Sequence, residues 1–398
     1  MAADLDEESV AELTRLIRRL EAVRPYNIGF PGAVDFDYDA LADLFARHLL
    51  NNVGDPYVDG AGHNHTKAME REVVGIVADL LRAPADDRWG YVTSGGSEGN
   101  LYALHLARSL YPDAIAYVSD AAHYSVAKAL DLLAIPSVVV RAGDLGEMDY
   151  DDLADQVDRH RHRPAIVVAT IGTTMTEAVD DVRRIVEVLD VLAVRRRFVH
   201  ADAALAGIPL ALLDPGDRPG LDFVDGADSV TVSGHKFLGS PMPCGVVVVR
   251  AGHRTRVSRS VGYTGSPDAT IGGSRSGHAP LVLWYALRRH GLAGLRRRAS
   301  ESRELATYAH RLLTDLGWEA FRHEHAFTVV LKTPPEPVAS RWVLASSGGW
   351  SHIVCMPGIV RAQLEHFVAD LRAATTHVTA GNGLVPGPRP APTAPSVA

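Results

Sequence analysis

The sequence predicts a mainly parallel, seven-stranded α/β sheet followed by a smaller α+β domain, and three observations predict it. Seven short runs rich in β-branched and apolar residues fall between Gly90 and Arg250. Segments with helical period separate most of them, the alternation that a parallel sheet with crossover helices requires. After Gly277 the pattern changes to one long helical stretch, two further strands and a closing helix.

At the start of the chain, Val10, Leu13, Leu16, Ile17 and Leu20 recur at helical spacing. An amphipathic helix therefore opens the chain, its apolar stripe needs a partner surface, and Arg24-Pro25 ends it. The strand runs are Gly90 to Thr93, Ile115 to Val118, Ser137 to Arg141, Ala165 to Thr170, Phe198 to Ala201, Ser229 to Ser233 and Gly245 to Arg250. The last two lie close enough for an antiparallel hairpin at one edge of the sheet. Beyond them, helical period runs from Pro280 to Leu316, strands are expected at Phe327 to Leu331 and Ser351 to Cys355, and a helix at Val360 to Ala373. Ala380 to Ala398 holds five prolines among Gly, Ala and Thr and cannot bury enough to order itself. The expected division is residues 1–60 as the opening helix and a dimerisation segment, 61–285 as the large domain, 286–379 as the small domain and 380–398 as a disordered tail.

With 398 residues, 46% of them apolar, the chain can build one large core and a smaller one. Its apolar runs reach only about ten residues, half the roughly twenty that span a bilayer. The opening Met-Ala-Ala-Asp-Leu-Asp-Glu-Glu is acidic, unlike a secretory signal, so no export is expected. Two cysteines, Cys244 and Cys355, are too few for a disulfide framework or a cysteine-ligated metal and fit a reducing, cytoplasmic compartment. A net charge of −8 argues against nucleic acid as partner, and Arg159 to Arg163 and Arg195 to Arg197 read as solvated helix ends.

Three stretches carry chemistry. Thr93-Ser94-Gly95-Gly96-Ser97-Glu98-Gly99-Asn100 lies between a strand and the helix expected at Leu101 to Leu110, where small residues let N–H groups close around an anion. It has neither the dinucleotide fingerprint nor the P-loop ending. His200-Ala201-Asp202-Ala203-Ala204 follows the fifth run, and Ser233-Gly234-His235-Lys236 follows the sixth, its lysine 34 residues after Asp202. Both stand at carboxyl ends of parallel strands, where α/β sheets place ligands. An aspartate there can keep a pyridine nitrogen protonated and a lysine can form a Schiff base with an aldehyde, the pair that pyridoxal phosphate needs. Taken singly, the three read as an ordinary βα turn, a buried ion pair and a surface lysine; their order favours the cofactor.

From Asn27 to Leu371 the chain resembles the group II pyridoxal-phosphate-dependent amino-acid decarboxylases, in their histidine and serine decarboxylase branch. The blocks that carry the resemblance include Asn27 to Pro31, Asn51 to Pro56, Ser94 to Asn100, His123 to Lys128, Ile171 to Met175, His200 to Ala204, Ser229 to Pro243, Asp268 to Ile271 and Gly273 to Pro280. The resemblance implies the aspartate-aminotransferase-like fold (fold type I), a homodimer, and decarboxylation of an L-amino acid, histidine or serine favoured, through an external aldimine and a quinonoid. It implies that Lys236 holds the cofactor as an internal aldimine and that Asp202 pairs with the ring nitrogen. His123 would stack on one ring face and Ala204 would pack the other; Gly96, Ser97, Ser233 and His235 would hold the phosphate, and Thr173 would lie near the ring hydroxyl. Tyr263, on a glycine-flanked loop reaching the neighbouring subunit, is the candidate for protonating the former α-carbon.

The segment Tyr57 to Thr66 looks closer to the serine than to the bacterial histidine branch, although its middle matches neither. His63 and His65 within it are expected to touch substrate; lacking a carboxylate partner at ligand spacing, they are not read as a metal site. Lys67 and Arg71, just beyond, are expected to face solvent. Ala345-Ser346-Ser347-Gly348 resembles a family block and brings Ser347 toward the site. Among rivals, Tyr124 and Lys128 have the spacing of short-chain dehydrogenases, but no glycine-rich dinucleotide loop precedes them. A non-catalytic binding module would not need Lys236 and Asp202, whereas another pyridoxal-phosphate lyase or an aminotransferase would share both.

Overall fold

The computed structural model describes residues 5–381. Seven strands, β1 (Trp89–Thr93), β2 (Ile115–Ser119), β3 (Ser137–Val140), β4 (Ala165–Thr170), β5 (Arg197–Asp202), β6 (Ser229–Ser233) and β7 (Gly245–Val249), form one sheet in the order β1-β7-β6-β5-β4-β2-β3. All pairings are parallel except those of β7, which runs antiparallel to both β6 and β1. The hairpin expected at an edge is therefore internal. A strand of sequence Gly-Val-Val-Val-Val left at an edge would expose an apolar ribbon with unpaired backbone groups, and β1 covers it. The central strands β4 to β7 are buried almost throughout, as sheets covered by helices on both faces must be.

The second sheet, in the order β10-β11-β9-β8, is wholly antiparallel and is built from β8 (Ala320–Phe321), β9 (Thr328–Lys332), β10 (Ala345–Ser347) and β11 (Trp350–Val354). Its short members β8 and β10 fall outside the expected runs because two and three residues carry no readable period. Val329, Leu331, Ile353, Trp342 and Phe367 make the core beneath it, and Ile28 from the start of the chain joins them. The long helix His278–Asp315 connects the two sheets and breaks at Gly291, whose φ of 58° only glycine adopts freely. The closing helix Arg361–Gly381 takes in the first two residues of the expected tail; the rest of that tail lies outside the described residues.

The helix Glu7–Val23 is capped by Asp6, whose Oδ1 accepts from Ser9 N at 2.7 Å. No residue of this helix is buried, and the stripe of Val10, Leu13, Leu16, Ile17 and Leu20 stands open. Parallel β1, β2, β4, β5 and β6 bring their carboxyl ends to one rim of the large sheet. That rim holds the site.

Candidate active site

A cavity of about 360 Å³ opens at this rim. Gly96 and Ser97 after β1, His123 after β2, Thr170, Gly172 and Thr174 at and after β4, Asp202 and Ala204 at and after β5, and Ser233, His235 and Lys236 at and after β6 all line it. Phe30 and Pro31, from the segment leading into the small-sheet core, close the far side.

The helix after β1 starts at Gly96, five residues earlier than expected, and no side chain caps it. Its first N–H groups are thus left for a ligand, and the helix dipole favours an anion there. A Cβ on Gly96 would come within 2.9 Å of Ser233 Oγ and 3.2 Å of Ala204 Cβ, so only glycine leaves the cradle open. Gly172 turns the wall with φ 100°, and a Cβ there would lie 2.9 Å from that of Ala206.

Asp202 is almost fully buried, and both its oxygens are occupied: Asn100 Nδ2 donates to Oδ2 at 2.7 Å and Ala204 N to Oδ1 at 3.2 Å. Asn100 Oδ1 in turn lies 3.0 Å from His200 Nε2, and His200 Nδ1 lies 2.8 Å from Ser229 Oγ. Burial pushes the His200 pKa down to about 4, so the ring is neutral. Because the Asn100 amide must turn its NH₂ to the carboxylate, its oxygen accepts from His200 Nε2–H, and His200 Nδ1 accepts from the Ser229 hydroxyl. The chain of donors runs one way, toward Asp202.

Burial lowers the Lys236 pKa, with Asp202 and then Glu177 opposing that shift. His123 caps the helix Tyr124–Leu132 by accepting from Ser125 N; burial lowers its pKa too, so the ring is a neutral, flat surface at the cavity wall. His235 Nδ1 sits 3.0 Å from Cys244 O, which orients its ring.

The profile of the pyridoxal-dependent decarboxylase conserved domain matches residues 36–331, about three quarters of the chain. The chain belongs to this family. Histidine decarboxylase of Mesorhizobium japonicum is 43% identical over 367 residues, covering 92% of this chain and 98% of that protein. Serine decarboxylase 2 of Oryza sativa is 38% identical over 92% of this chain and 79% of its own. Among solved structures, L-methionine decarboxylase from Streptomyces sp. 590 superposes with a TM-score of 0.84 at 27% identity, covering 94% of this chain and 96% of that one. The protein is thus a pyridoxal-phosphate-dependent amino-acid decarboxylase of fold type I.

The decarboxylase's cavity fits that cofactor. It offers an amine, a buried carboxylate, an uncapped helix start beside two hydroxyls, and a buried hydroxyl, Thr170 Oγ1, with no hydrogen-bond partner among the described residues. Of the residues expected at the cofactor, Gly96, Ser97, His123, Asp202, Ala204, Ser233, His235 and Lys236 meet in this cavity. Thr173 does not line it. Its hydroxyl accepts from Ala178 N at 3.0 Å and pairs with Thr176 Oγ1 at 2.8 Å, because the loop closes on itself after Gly172. Thr170 and Thr174 face the cavity instead.

Tyr263 and His65 line a second cavity of about 400 Å³ with Asn51, Asp59, Lys67 and Thr264. Tyr263 is 91% exposed there. His63 is exposed and lines neither cavity, and Ser347, half-buried on β10, lines neither. Lys67 does not face solvent: it is buried, and its Nζ donates to Val58 O at 2.6 Å and Asp59 O at 3.3 Å. Arg71 donates to Pro56 O and Asp59 Oδ1, both at 3.0 Å. The loop before the helix Lys67–Leu80 folds back over its first turn, so carbonyl oxygens replace water. Asn100, Thr170, Thr174 and His200 are the residues to which sequence reasoning gave no role. Asn100 and His200 each sit inside a block already singled out, and polar side chains flanking a strand-end acid were the available signal.

Proposed function

We propose that this decarboxylase acts on a small or medium L-amino acid, L-histidine first and L-serine second, as a homodimer in the cytoplasm. Convergence of Lys236, Asp202 and the open start of the helix Gly96–Leu110 in one cavity is the observation that carries the chemistry. When bound, pyridoxal phosphate supplies the electron sink for the carbon that loses CO₂. Lys236 is the amine that carries it, and the burial that lowers its pKa makes the nucleophilic form accessible. Asp202, held by Asn100 and Ala204, keeps a proton at the ring nitrogen. His123 and Ala204 would close the two faces of the cofactor; Gly96 N–H, Ser97, Ser233 and His235 would hold its phosphate. Thr170, whose hydroxyl has no hydrogen-bond partner among the described residues, would take the place expected of Thr173. Residues 61–285 form the cofactor-binding unit and 286–379 the small domain. Cys244 and Cys355, buried and unpaired, suit a reducing compartment.

The dimer completes the site. His65 and Tyr263 line the second cavity, which shares no lining residue with the Lys236 cavity, and in the dimer they would reach the reacting atoms of the other copy. Residues 1–60 contribute the open apolar stripe of the helix Glu7–Val23 to the same interface. Tyr263 of the partner subunit then delivers the proton to the former α-carbon. Sedimentation at assay concentration is expected to give a dimer; a fully active monomer would contradict this reading.

The substrate reading is supported by the 43% identity to a histidine decarboxylase and by the second cavity's contents. Lys67 is the one lysine or arginine among the described residues lining that cavity, its ammonium already donates to two carbonyls, and Asp59 and Asp268 line the same cavity, so an acidic side chain meets two like charges there. A buried unpaired carboxylate costs several kcal/mol. In a steady-state comparison of histidine, serine, leucine, methionine and glutamate, histidine is expected to show the highest kcat/KM and His65→Ala to change the order. Glutamate leading by a wide margin, or an order untouched by variants at His63 and His65, would overturn the assignment.

A further inference from the structure

Glu177 is a buried glutamate with a left-handed backbone, φ 57°. A non-glycine residue in that region carries a strain on the order of 1 kcal/mol or more, which contacts elsewhere must offset. The Glu177 side chain is held by the small sheet. Phe327 N donates to both carboxylate oxygens at 3.2 and 3.1 Å, Thr328 N to Oε2 at 2.8 Å and Thr328 Oγ1 to Oε2 at 2.5 Å. The two backbone N–H groups can only donate, and the Thr328 hydroxyl can turn its own O–H to the carboxylate as well, so all these contacts suit an anion.

The two ends of this clamp both reach the active site. On one side Glu177 N donates to Thr173 O at 2.8 Å, closing the loop whose Gly172 and Thr174 line the Lys236 cavity. On the other, the ring of Phe327 lies 5.8 Å from that of Phe237, the residue after Lys236. We propose that Glu177 is a positioning residue of the active site: its carboxylate, held by Phe327 and Thr328, pins the Gly172–Thr174 wall to β9. The inference rests on the reading of Lys236 as the residue that carries the cofactor.

The charges around the clamp are mixed. Arg303 from the long helix, Arg322 after β8, the Cys355 thiol after β11 and Lys236 after β6 all feel the Glu177 charge. Burial raises the Glu177 pKa, and the Thr328 and Phe327 donors and Arg303 oppose that shift. Removing the carboxylate withdraws an anion from Lys236 and so lowers the pKa of the nitrogen that bears the cofactor.

The test uses the cofactor-loaded full chain and three variants. Glu177→Gln sets an NH₂ against backbone donors, Glu177→Gly relieves the strained backbone while cutting the clamp, and Thr328→Val removes one donor only. Amide exchange at Phe327 and Thr328 is expected to rise about tenfold or more in both Glu177 variants and by less in Thr328→Val. The pH at which the visible absorbance of the loaded protein changes is expected to fall by roughly half a unit or more in both Glu177 variants. Their kcat is expected to fall about tenfold. Wild-type amide protection at Phe327 and Thr328, or an absorbance transition that stays at the wild-type pH, overturns the proposal, whatever happens to melting temperature. Borohydride reduction of wild type separates the two readings: an adduct on another lysine sinks the role of Lys236, whereas an adduct on Lys236 with unchanged variants sinks that of Glu177.

Discussion

Lys236→Ala is expected to abolish turnover, with a fall of at least about 10⁴-fold, near 5 kcal/mol of transition-state stabilisation. Among the described residues no other lysine lines the cavity, and Lys236 lies there with its pKa lowered by burial. On the proposed reading, loss of its amine would leave the cofactor no covalent anchor, with only the proposed phosphate cradle and Asp202 to hold it. Wild type should be yellow, and borohydride should fix the cofactor on the single peptide containing Lys236. Lys236→Arg separates charge from nucleophilicity: it restores a cation to the site but no attacking amine, and is expected to be as inactive as the alanine variant. Substantial activity in either variant, or a reduced adduct on another lysine, would remove Lys236 from its role.

Asp202→Asn is expected to stay yellow and still lose on the order of a thousandfold in rate, about 4 kcal/mol. The asymmetry follows from which contacts survive. Lys236, Ser233, His235 and the start of the helix Gly96–Leu110 are untouched, so the cofactor is retained. The neutral amide cannot hold a proton at the ring nitrogen, and it also upsets the chain behind it. If the new NH₂ replaces Oδ2, it meets the Asn100 NH₂; if it replaces Oδ1, it meets Ala204 N–H. Either way two donors face each other in a buried site, at a cost of about 1–3 kcal/mol in addition to the lost charge. Measurement of kcat together with cofactor occupancy decides the matter: near-normal turnover refutes the electron-sink assignment, and loss of bound cofactor shows that Asp202 acts in binding instead.

Much of this site was legible because its core residues are fixed by local position. Gly96, Asp202, Ser233 and Lys236 stand immediately after parallel strands, and a strand end points its next residues at the rim of the sheet regardless of what the rest of the chain does. The relay behind Asp202 was not legible: Asn100 lies 102 residues from Asp202 and 100 from His200, and neither contact leaves a mark on spacing or period. Thr173, expected near the ring hydroxyl, does not line the cavity, whereas Thr170 and Thr174 do. Gly172 turns the backbone with a positive φ between them, and such a turn leaves no periodicity from which to read which threonine lines the cavity.

By itself, then, the sequence determined the layered α/β architecture, the strand-end cofactor chemistry and the apolar stripe of the opening helix, since these follow from periodicity and from residue types at element ends. Tertiary structure alone decided that β7 lies inside the sheet, that Lys67 is buried under a folded-back loop, that His65 and Tyr263 sit in a cavity separate from Lys236, and that Glu177 is clamped by β9. The physical reason is common to all four. Each depends on which distant surface comes to cover a given group, and burial, which sets both strand order and the protonation of a side chain, is a property of the packed chain rather than of its local segments.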